Sequence, residues 1–208
     1  MGLLMLLLLG CVPGPDGGPE VGADCGEWPV QVGDVPLFGG PIAMVSAAIP
    51  PKDWDIDVVR ELAVDEGLVQ RTSLHGRQFW ADFQGGEGLS MQAFWSEDGA
   101  FDVRYDDPLV LYPYPIEGRW TSVASFADAI IAFSPNEGVD TWDAEVVDTI
   151  DLELDGIVFR ETAVIEIEAT RELAVSTGVV QWRETAWVQP CRGLLARITD
   201  GHGMRLLP

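Results

Sequence analysis

The sequence has few basic residues. Of its 208 residues, 12 are Lys or Arg and 34 are Asp or Glu, so the net charge at pH 7 is −22. Such a chain repels phosphate groups, which argues against binding nucleic acid or an anionic membrane surface through charge. The acidity fits either a solubilising, self-repelling surface or a surface that binds cations or a cationic partner. Composition leaves both interpretations open.

The N-terminal apolar run is too short to span a bilayer. Leu3 to Leu9 are seven apolar residues, whereas a transmembrane helix requires about 20. The run ends at Gly10-Cys11, and residues 12–24 are rich in Pro and Gly. A short apolar core followed by small residues is typical of a secretory signal peptide, and a Pro- and Gly-rich stretch is typical of a flexible spacer. The alternative, an N-terminal strand packed into the core, is disfavoured by this spacer.

Leu8-Leu9-Gly10-Cys11 resembles the bacterial lipoprotein box, in which a cysteine after a small residue receives a diacylglyceryl group. The resemblance implies export, removal of residues 1–10 and acylation of Cys11, so that the protein is lipid-anchored in the bacterial cell envelope. In inner-membrane lipoproteins an Asp commonly follows the cysteine; Val12 stands there, so the outer membrane is expected. The basic residue that usually precedes the apolar run is absent, and a start upstream of Met1 would explain its absence.

Assignment of Cys11 to lipid leaves Cys25 and Cys191 as the remaining cysteines. In an oxidising compartment, an even pair predicts a disulfide. This bond would close most of a single domain, residues 25–208, behind a tether of residues 11–24. On the chain-entropy model, a loop of that length constrains the unfolded state by roughly 4 to 5 kcal/mol. A metal site or a redox pair would require closer cysteine spacing or neighbouring histidines.

Alternating apolar and polar residues predict a mainly β domain. The runs RQFWADF, LSMQAFW and AFDVRY, separated by GGEG and SEDG, predict three meandering strands. The last third is rich in β-branched residues, and Val164-Ile165-Glu166-Ile167-Glu168 has the strongest strand pattern. Near the C-terminus, LLARIT is expected to form a closing strand.

Three segments fit more than one structure. Residues 53–66 fit a helix or, preferably, a strand before the turn Asp65-Glu66-Gly67. Residues 122–133 fit a helix and a strand equally well. Residues 106–120 contain three prolines, which predict an edge strand or a connection that crosses the sheet, because proline cannot donate to a ladder.

A second resemblance concerns the fold. LYPYPIEGRW followed by WVQPCRGLLAR resembles the order of motifs in uncharacterised β-rich bacterial lipoproteins, over residues 112–197. The resemblance implies a curved antiparallel sheet of the half-barrel or open-barrel type, with at most one or two short helices. It implies no activity.

No pattern predicts catalysis. The chain has two histidines, His75 and His202, and no G-x-S-x-G turn, phosphate loop or dinucleotide fingerprint. Paired carboxylates are too numerous to mark a glycosidase site. Asp53, Asp55 and Asp57 would share one face of a strand, which makes them candidate calcium ligands or simply a solvated face. No cofactor is expected.

The tryptophans are the other candidate site. Inside a curved sheet they either line a cavity for a lipid or another apolar ligand or form ordinary core. The tryptophans concerned are Trp80, Trp95, Trp120, Trp142, Trp182 and Trp187. Arginines within strands are expected to pair with acids on the solvent face, namely Arg71, Arg104, Arg160 and Arg183.

The sequence therefore predicts a membrane-anchored envelope lipoprotein with a non-catalytic role as a binding or structural module. Its expected partners are the membrane, through Cys11, and either an envelope protein or an apolar ligand, but not nucleic acid. A carrier of lipid in a half-barrel cavity is the second candidate function. A carbohydrate-active or other hydrolytic enzyme is the third.

Overall fold

The described residues of the computed structural model are 20–21, 42–46, 57–59, 61–65, 67–72, 78–85, 88–154, 156–175, 178–189, 192–199 and 202–206. Within these ranges all regular structure is β. The strands are β1 (Glu20–Val21), β2 (Ile42–Ser46), β3 (Asp57–Val59), β4 (Glu61–Asp65), β5 (Leu68–Thr72), β6 (Gln78–Gln84), β7 (Gly88–Ser96), β8 (Phe101–Pro113), β9 (Arg119–Ile131), β10 (Ser134–Leu154), β11 (Ile157–Leu173), β12 (Gly178–Gln189), β13 (Gly193–Thr199) and β14 (His202–Leu206).

These strands belong to one sheet, in the order β3-β2-β14-β13-β12-β11-β10-β9-β8-β7-β6-β5-β4. Neighbours along this path are antiparallel where they pair, and β1 pairs in parallel with Val158 and Phe159 of β11. Strands β6 to β13 are consecutive both in sequence and in space, so this part of the sheet is a meander, and it curls into a half-barrel. The predicted fold class is confirmed, and the described ranges contain no helix.

The hairpin of β10 and β11 is the longest element, with strands of 21 and 17 residues. Its turn contains Gly156, whose φ of 80° lies in the left-handed region that favours glycine. The register shifts between Val146 and Asp148 and again between Ile150 and Leu152. Such bulges bend a strand and increase its twist, which accounts for a curled sheet rather than a flat one.

Buried and exposed residues alternate along β9 to β12. Phe126, Trp142, Ile167 and Ala186 are buried on one side of these strands, which we call the core face. The opposite side of the same four strands is called the open face; it is largely solvated, except at the end of β12, where Trp187 is buried. This alternation is the pattern of an antiparallel sheet with one packed and one solvated face.

The proline-rich segment is part of an inner strand of the sheet, but it has an edge-like pairing. Pro108 and Pro113 lie within β8, between β7 and β9, and the β8–β9 ladder covers only Phe101 and Asp102, so the proline-bearing part of β8 pairs with β7 alone. The register gives the physical reason: Met91 of β7 pairs with Leu109, while Ala93 pairs with Arg104. Residues 105–108 therefore form a bulge, where the ladder does not require a proline N–H.

The ambiguous segments are strands over most of their described residues, and Ala132 and Phe133 form a turn. Residues 57–59 and 61–65 confirm the preference for strand, and the rest of 53–66 lies outside the described residues. Residues 119–131 are strand β9, because Ser122, Ala124 and Phe126 alternate onto the core face. LLARIT is a strand as expected, but it does not close the sheet, since β14 follows and pairs with both β13 and β2.

Candidate functional site

A buried ion pair interrupts the apolar core face. The Nε and Nη2 atoms of Arg171 donate to the two carboxylate oxygens of Asp140 at 2.7 and 2.6 Å. The hydroxyl of Tyr105 donates to the same carboxylate at 2.5 Å. The Asp140 side chain is only 5% exposed. Its charge is stabilised by the bidentate guanidinium and the phenol together.

The pKa values of both Tyr105 and Arg171 are raised in this cluster. Burial raises the pKa of Tyr105, and the negative charge of Asp140 raises it further. Burial lowers the pKa of Arg171, but the hydrogen bond and charge of Asp140 outweigh this effect and hold the pKa above its usual value. The guanidinium also lies 5.2 and 5.6 Å from the ring centroids of Phe94 and Phe126. The three cluster residues and the two rings come from five strands, β7 to β11, so their contacts hold these strands together.

A second cluster of polar side chains lies on the core face around Glu184, which is 6% exposed. The Nε1 atom of Trp182 donates to its Oε1 at 2.8 Å, and Nε of Arg197 lies 3.5 Å from its Oε2. Among the residues that the structure describes, the Oε2 atom has no hydrogen-bond donor and the buried Nε1 atom of Trp120 has no acceptor. Trp120 and Glu184 belong to one cross-strand row, joined through β10 and β11. Polar atoms therefore extend over the core face from β9 to β13.

The core face brings together three of the six predicted tryptophans. Trp142 and Trp182 lie in one cross-strand row with Ala169 between them. Trp120 lies in the adjacent row. Trp142 is buried, and its Nε1 donates to the carbonyl oxygen of Leu111 at 3.1 Å.

The other three tryptophans lie elsewhere. Trp187 follows Trp182 by five residues in an uninterrupted register, so it lies on the opposite face, where it is buried. Trp80 and Trp95 stack across β6 and β7 with centroids 6.5 Å apart, and the guanidinium of Arg104 lies 5.7 Å from the Trp95 ring. The six side chains thus occupy two parts of the sheet and both of its faces.

Several predicted site residues lie outside the described residues: Cys11, Cys25, Cys191, Asp53 and Asp55. Asp57 is described only as part of β3. Lipidation, the disulfide and the calcium site stay predictions. In the part of the chain that the structure describes, no group of three or more His, Cys, Asp or Glu side chains is arranged to hold a metal ion. Over the same ranges, no helix combines the length and hydropathy that crossing a bilayer requires.

The open face carries two rows of charged and polar side chains, which cross β9, β10, β11 and β12 in that order. One row is Arg119, Glu145, Glu166 and Thr185, and the other is Thr121, Asp143, Glu168 and Arg183. Most of them line an open depression of about 410 Å³. In each row, two carboxylates lie directly opposite each other on β10 and β11. Like charges in this arrangement destabilise a sheet.

Two arginines compensate one of these carboxylate pairs. Arg119 donates through Nε and Nη2 to the Asp143 carboxylate at 3.1 and 2.5 Å, and Arg183 lies 2.6 Å from Glu168. The hydrogen bond from Arg119 lowers the pKa of Asp143. Within the described residues, Glu145 and Glu166 accept no hydrogen bond and form no ion pair. Both carboxylates are exposed, and the charge of Arg119, which lies opposite Glu145, acts on Glu145 without an ion pair.

The sequence predicted part of this surface. Three expected solvent-face pairs are confirmed, namely Arg104 with Asp102, Arg160 with Asp151 and Arg183 with Glu168. Two features were missed: the buried pair of Asp140 and Arg171, and the opposition of Glu145 and Glu166. The segments DAE and EIE each place two acids on one face of a strand, but only the register brings the two segments side by side. Comparison of the chain with protein-family models, curated proteins and solved structures gave no match.

Proposed function

We propose that the protein is a lipid-anchored, non-catalytic module of the bacterial cell envelope that binds a partner through its β domain. Cys11 is the acylated residue, residues 11–24 are the tether, and the outer membrane is the location. The observation that carries the binding role is the open face of β9 to β12. This surface holds Glu145 and Glu166 opposite each other, and neither forms an ion pair within the described residues, so their repulsion is a cost to stability. Functional surfaces commonly carry such a cost.

A lipid anchor suits this protein better than attachment to the membrane through surface charge. Two acyl chains give stable anchoring where one does not, because each buried CH₂ contributes about 0.8 kcal/mol. The net charge of −22 makes the protein surface itself repel anionic headgroups. An acylated N-terminus on a flexible tether therefore keeps the domain near the bilayer while its sheet stays free for a partner.

The anchor is tested by expressing the full chain in a Gram-negative host grown with labelled palmitate. We expect label in the protein and retention in the membrane fraction after a high-salt wash, since lipid contacts are insensitive to salt. Cys11→Ala is the matched control and is expected to lose both label and retention. Equal membrane retention of wild type and Cys11→Ala would overturn the proposal.

One observation favours the second candidate, a carrier of an apolar ligand. Trp120, Trp142 and Trp182 lie in adjacent rows of the core face, and the indole N–H of Trp120 finds no acceptor in the described part of the chain. A ligand with an apolar body and one acceptor would suit these side chains. Native mass spectrometry of the purified protein separates the two functions: a non-covalently bound lipid in addition to the acylated chain supports the carrier, and the mass of the acylated chain alone supports the binding module.

A further inference from the structure

We propose that two copies of the protein pair edge to edge through the first half of β12, so that their sheets join into one antiparallel sheet. The segment concerned is residues 178–183, which we call the β12 edge. The inference goes beyond the proposed function and does not depend on the lipid anchor. It is carried by the strand register, by exposed valines at this edge and by the absence of acidic residues from it.

The β12 edge is paired on one side. Gly178 to Arg183 pair with β11 without interruption, whereas the ladder between β12 and β13 begins only at Glu184. Among the described strands, none pairs with the other side of this segment. The backbone N–H and C=O groups on that side are therefore a template for a further strand.

The β12 edge lacks the features that protect the two ends of the sheet from pairing. The terminal strands β3 and β4 have three and five residues, and β4 carries Glu61, Asp65 and a register shift. Short strands, charges and bulges of this kind oppose edge-to-edge association. The sequence of the β12 edge is GVVQWR, which has no proline, no lysine and no register shift. Its one charged residue, Arg183, already forms an ion pair with Glu168.

The β12 edge exposes apolar side chains on both faces of the sheet. Val179 is 61% exposed and Val180 is 51% exposed, and consecutive residues of a strand point to opposite faces. Val175, in the turn that follows β11, is 66% exposed. A strand paired at this edge would remove part of this apolar surface from water.

A second copy fits the β12 edge because the segment is complementary to itself. A two-fold axis at Gln181 gives an antiparallel pair in which Val180 of one copy lies opposite Trp182 of the other. The same axis places Val179 opposite Arg183, whose aliphatic stem can cover it. Opposite residues share a face, so these are direct side-chain contacts, and no two like charges lie opposite each other.

The local charge permits this contact although the whole chain is acidic. The net charge is −22, but residues 178–183 contain one Arg and no Asp or Glu. Repulsion between two copies therefore comes from charges outside the edge, and salt screens it beyond about 8 Å at physiological ionic strength. A pair of six-residue strands is a small interface, below about 1,200 Å², so we expect a weak, reversible dimer.

Disulfide trapping of Gln181→Cys tests the pairing, in expressing cells and in the full-length protein purified in a neutral detergent. At the two-fold axis the two Cβ atoms of residue 181 would lie about 5 Å apart, close to the distance that a disulfide spans. The matched control is Val123→Cys, at an exposed position of the inner strand β9, and the unsubstituted chain gives the background from the native cysteines. We expect Gln181→Cys to yield at least about five-fold more covalent dimer than Val123→Cys. Equal yields, or a cross-link to a different protein in place of the dimer, would overturn the proposal.

A lysine at the edge tests whether the contact is a strand pair. Added to Gln181→Cys, Val180→Lys is expected to lower the yield of covalent dimer about five-fold, because charge at a strand edge opposes pairing. Val180→Thr keeps a β-branched side chain and is expected to change the yield less than about two-fold. Higher salt should increase the yield, since the net charges of two copies repel each other. Equal yields from the Lys and Thr variants, or a dimer that salt weakens, would contradict the pairing.

Discussion

Tyr105, Asp140 and Arg171 place charged side chains in the core of the domain, although charged residues are most often exposed. Every oxygen of the Asp140 carboxylate accepts a hydrogen bond, and the guanidinium packs between two phenyl rings. A buried ion pair persists only when its polar atoms are satisfied in this way. Sequence could not reveal it, because 31 residues separate Asp140 from Arg171 and isolated charges are most often exposed.

Tyr105→Phe is expected to lower the free energy of unfolding by about 2 kcal/mol, because it removes a hydrogen bond to a buried carboxylate. Urea denaturation measures the change. Tyr114→Phe is the matched control: this tyrosine packs against the core, and its hydroxyl makes no hydrogen bond to any described residue, so removal of the hydroxyl should cost less than about 0.5 kcal/mol. Equal effects of the two substitutions would show that the phenol of Tyr105 contributes only packing.

The same cluster predicts a loss of stability in alkali. The folded protein holds the pKa of Tyr105 above its ordinary value of 10.0. Above that pH the unfolded chain binds fewer protons than the folded chain at this site, so the free energy of unfolding falls as pH rises; below it the contribution is fully present. Urea denaturation between pH 8 and about pH 11 should show wild type losing stability faster than Tyr105→Phe. Parallel curves would contradict this assignment.

At the scale of elements, the β-branched alternation of β11 and the hairpins of β6 to β8 could be predicted from sequence. The path of β8 through two prolines could not, because it depends on a bulge opposite β7. The strand β9 could not be separated from a helix either. Its residue pattern indicates a strand only once the structure shows that Ala124 and Phe126 are both buried on the core face.

Because β10 packs closely against β11 at Gly138, we expect Gly138→Ala to lower the free energy of unfolding. A Cβ at this position would lie 2.1 Å from the carbonyl oxygen of Glu172 and 2.9 Å from the Phe126 ring. Overpacking of this kind is expected to cost about 3 kcal/mol. At Gly99 a Cβ meets nothing within 4 Å, and only its φ of 72° opposes substitution, so Gly99→Ala should cost about 1 kcal/mol. Denaturant midpoints of the two variants, compared with wild type, decide the order.

For the whole molecule, the sheet separates two roles. The core face carries the packing and the buried ion pair, whereas the open face exposes Glu145 and Glu166 on the surface where we propose that a partner binds. The acidic composition indicates an acidic surface, but the position of Glu145 opposite Glu166 depends on the cross-strand register, which sequence does not contain.

The disulfide predicted between Cys25 and Cys191 affects the whole molecule, because it would link the start of the domain to its end. Its removal by Cys25→Ser is expected to lower the free energy of unfolding by roughly 4 kcal/mol. Wild type treated with reductant should match the variant. A free-thiol assay that finds both cysteines reactive in the exported, unfolded protein would contradict the bond.

The most direct test of a lipid-anchored module is the intact mass of the protein extracted from membranes. We predict loss of residues 1–10 and a Cys11 that carries a diacylglyceryl group as the new N-terminus. A mass that retains Met1, or one that begins at an unmodified Cys11, would contradict the proposed anchor.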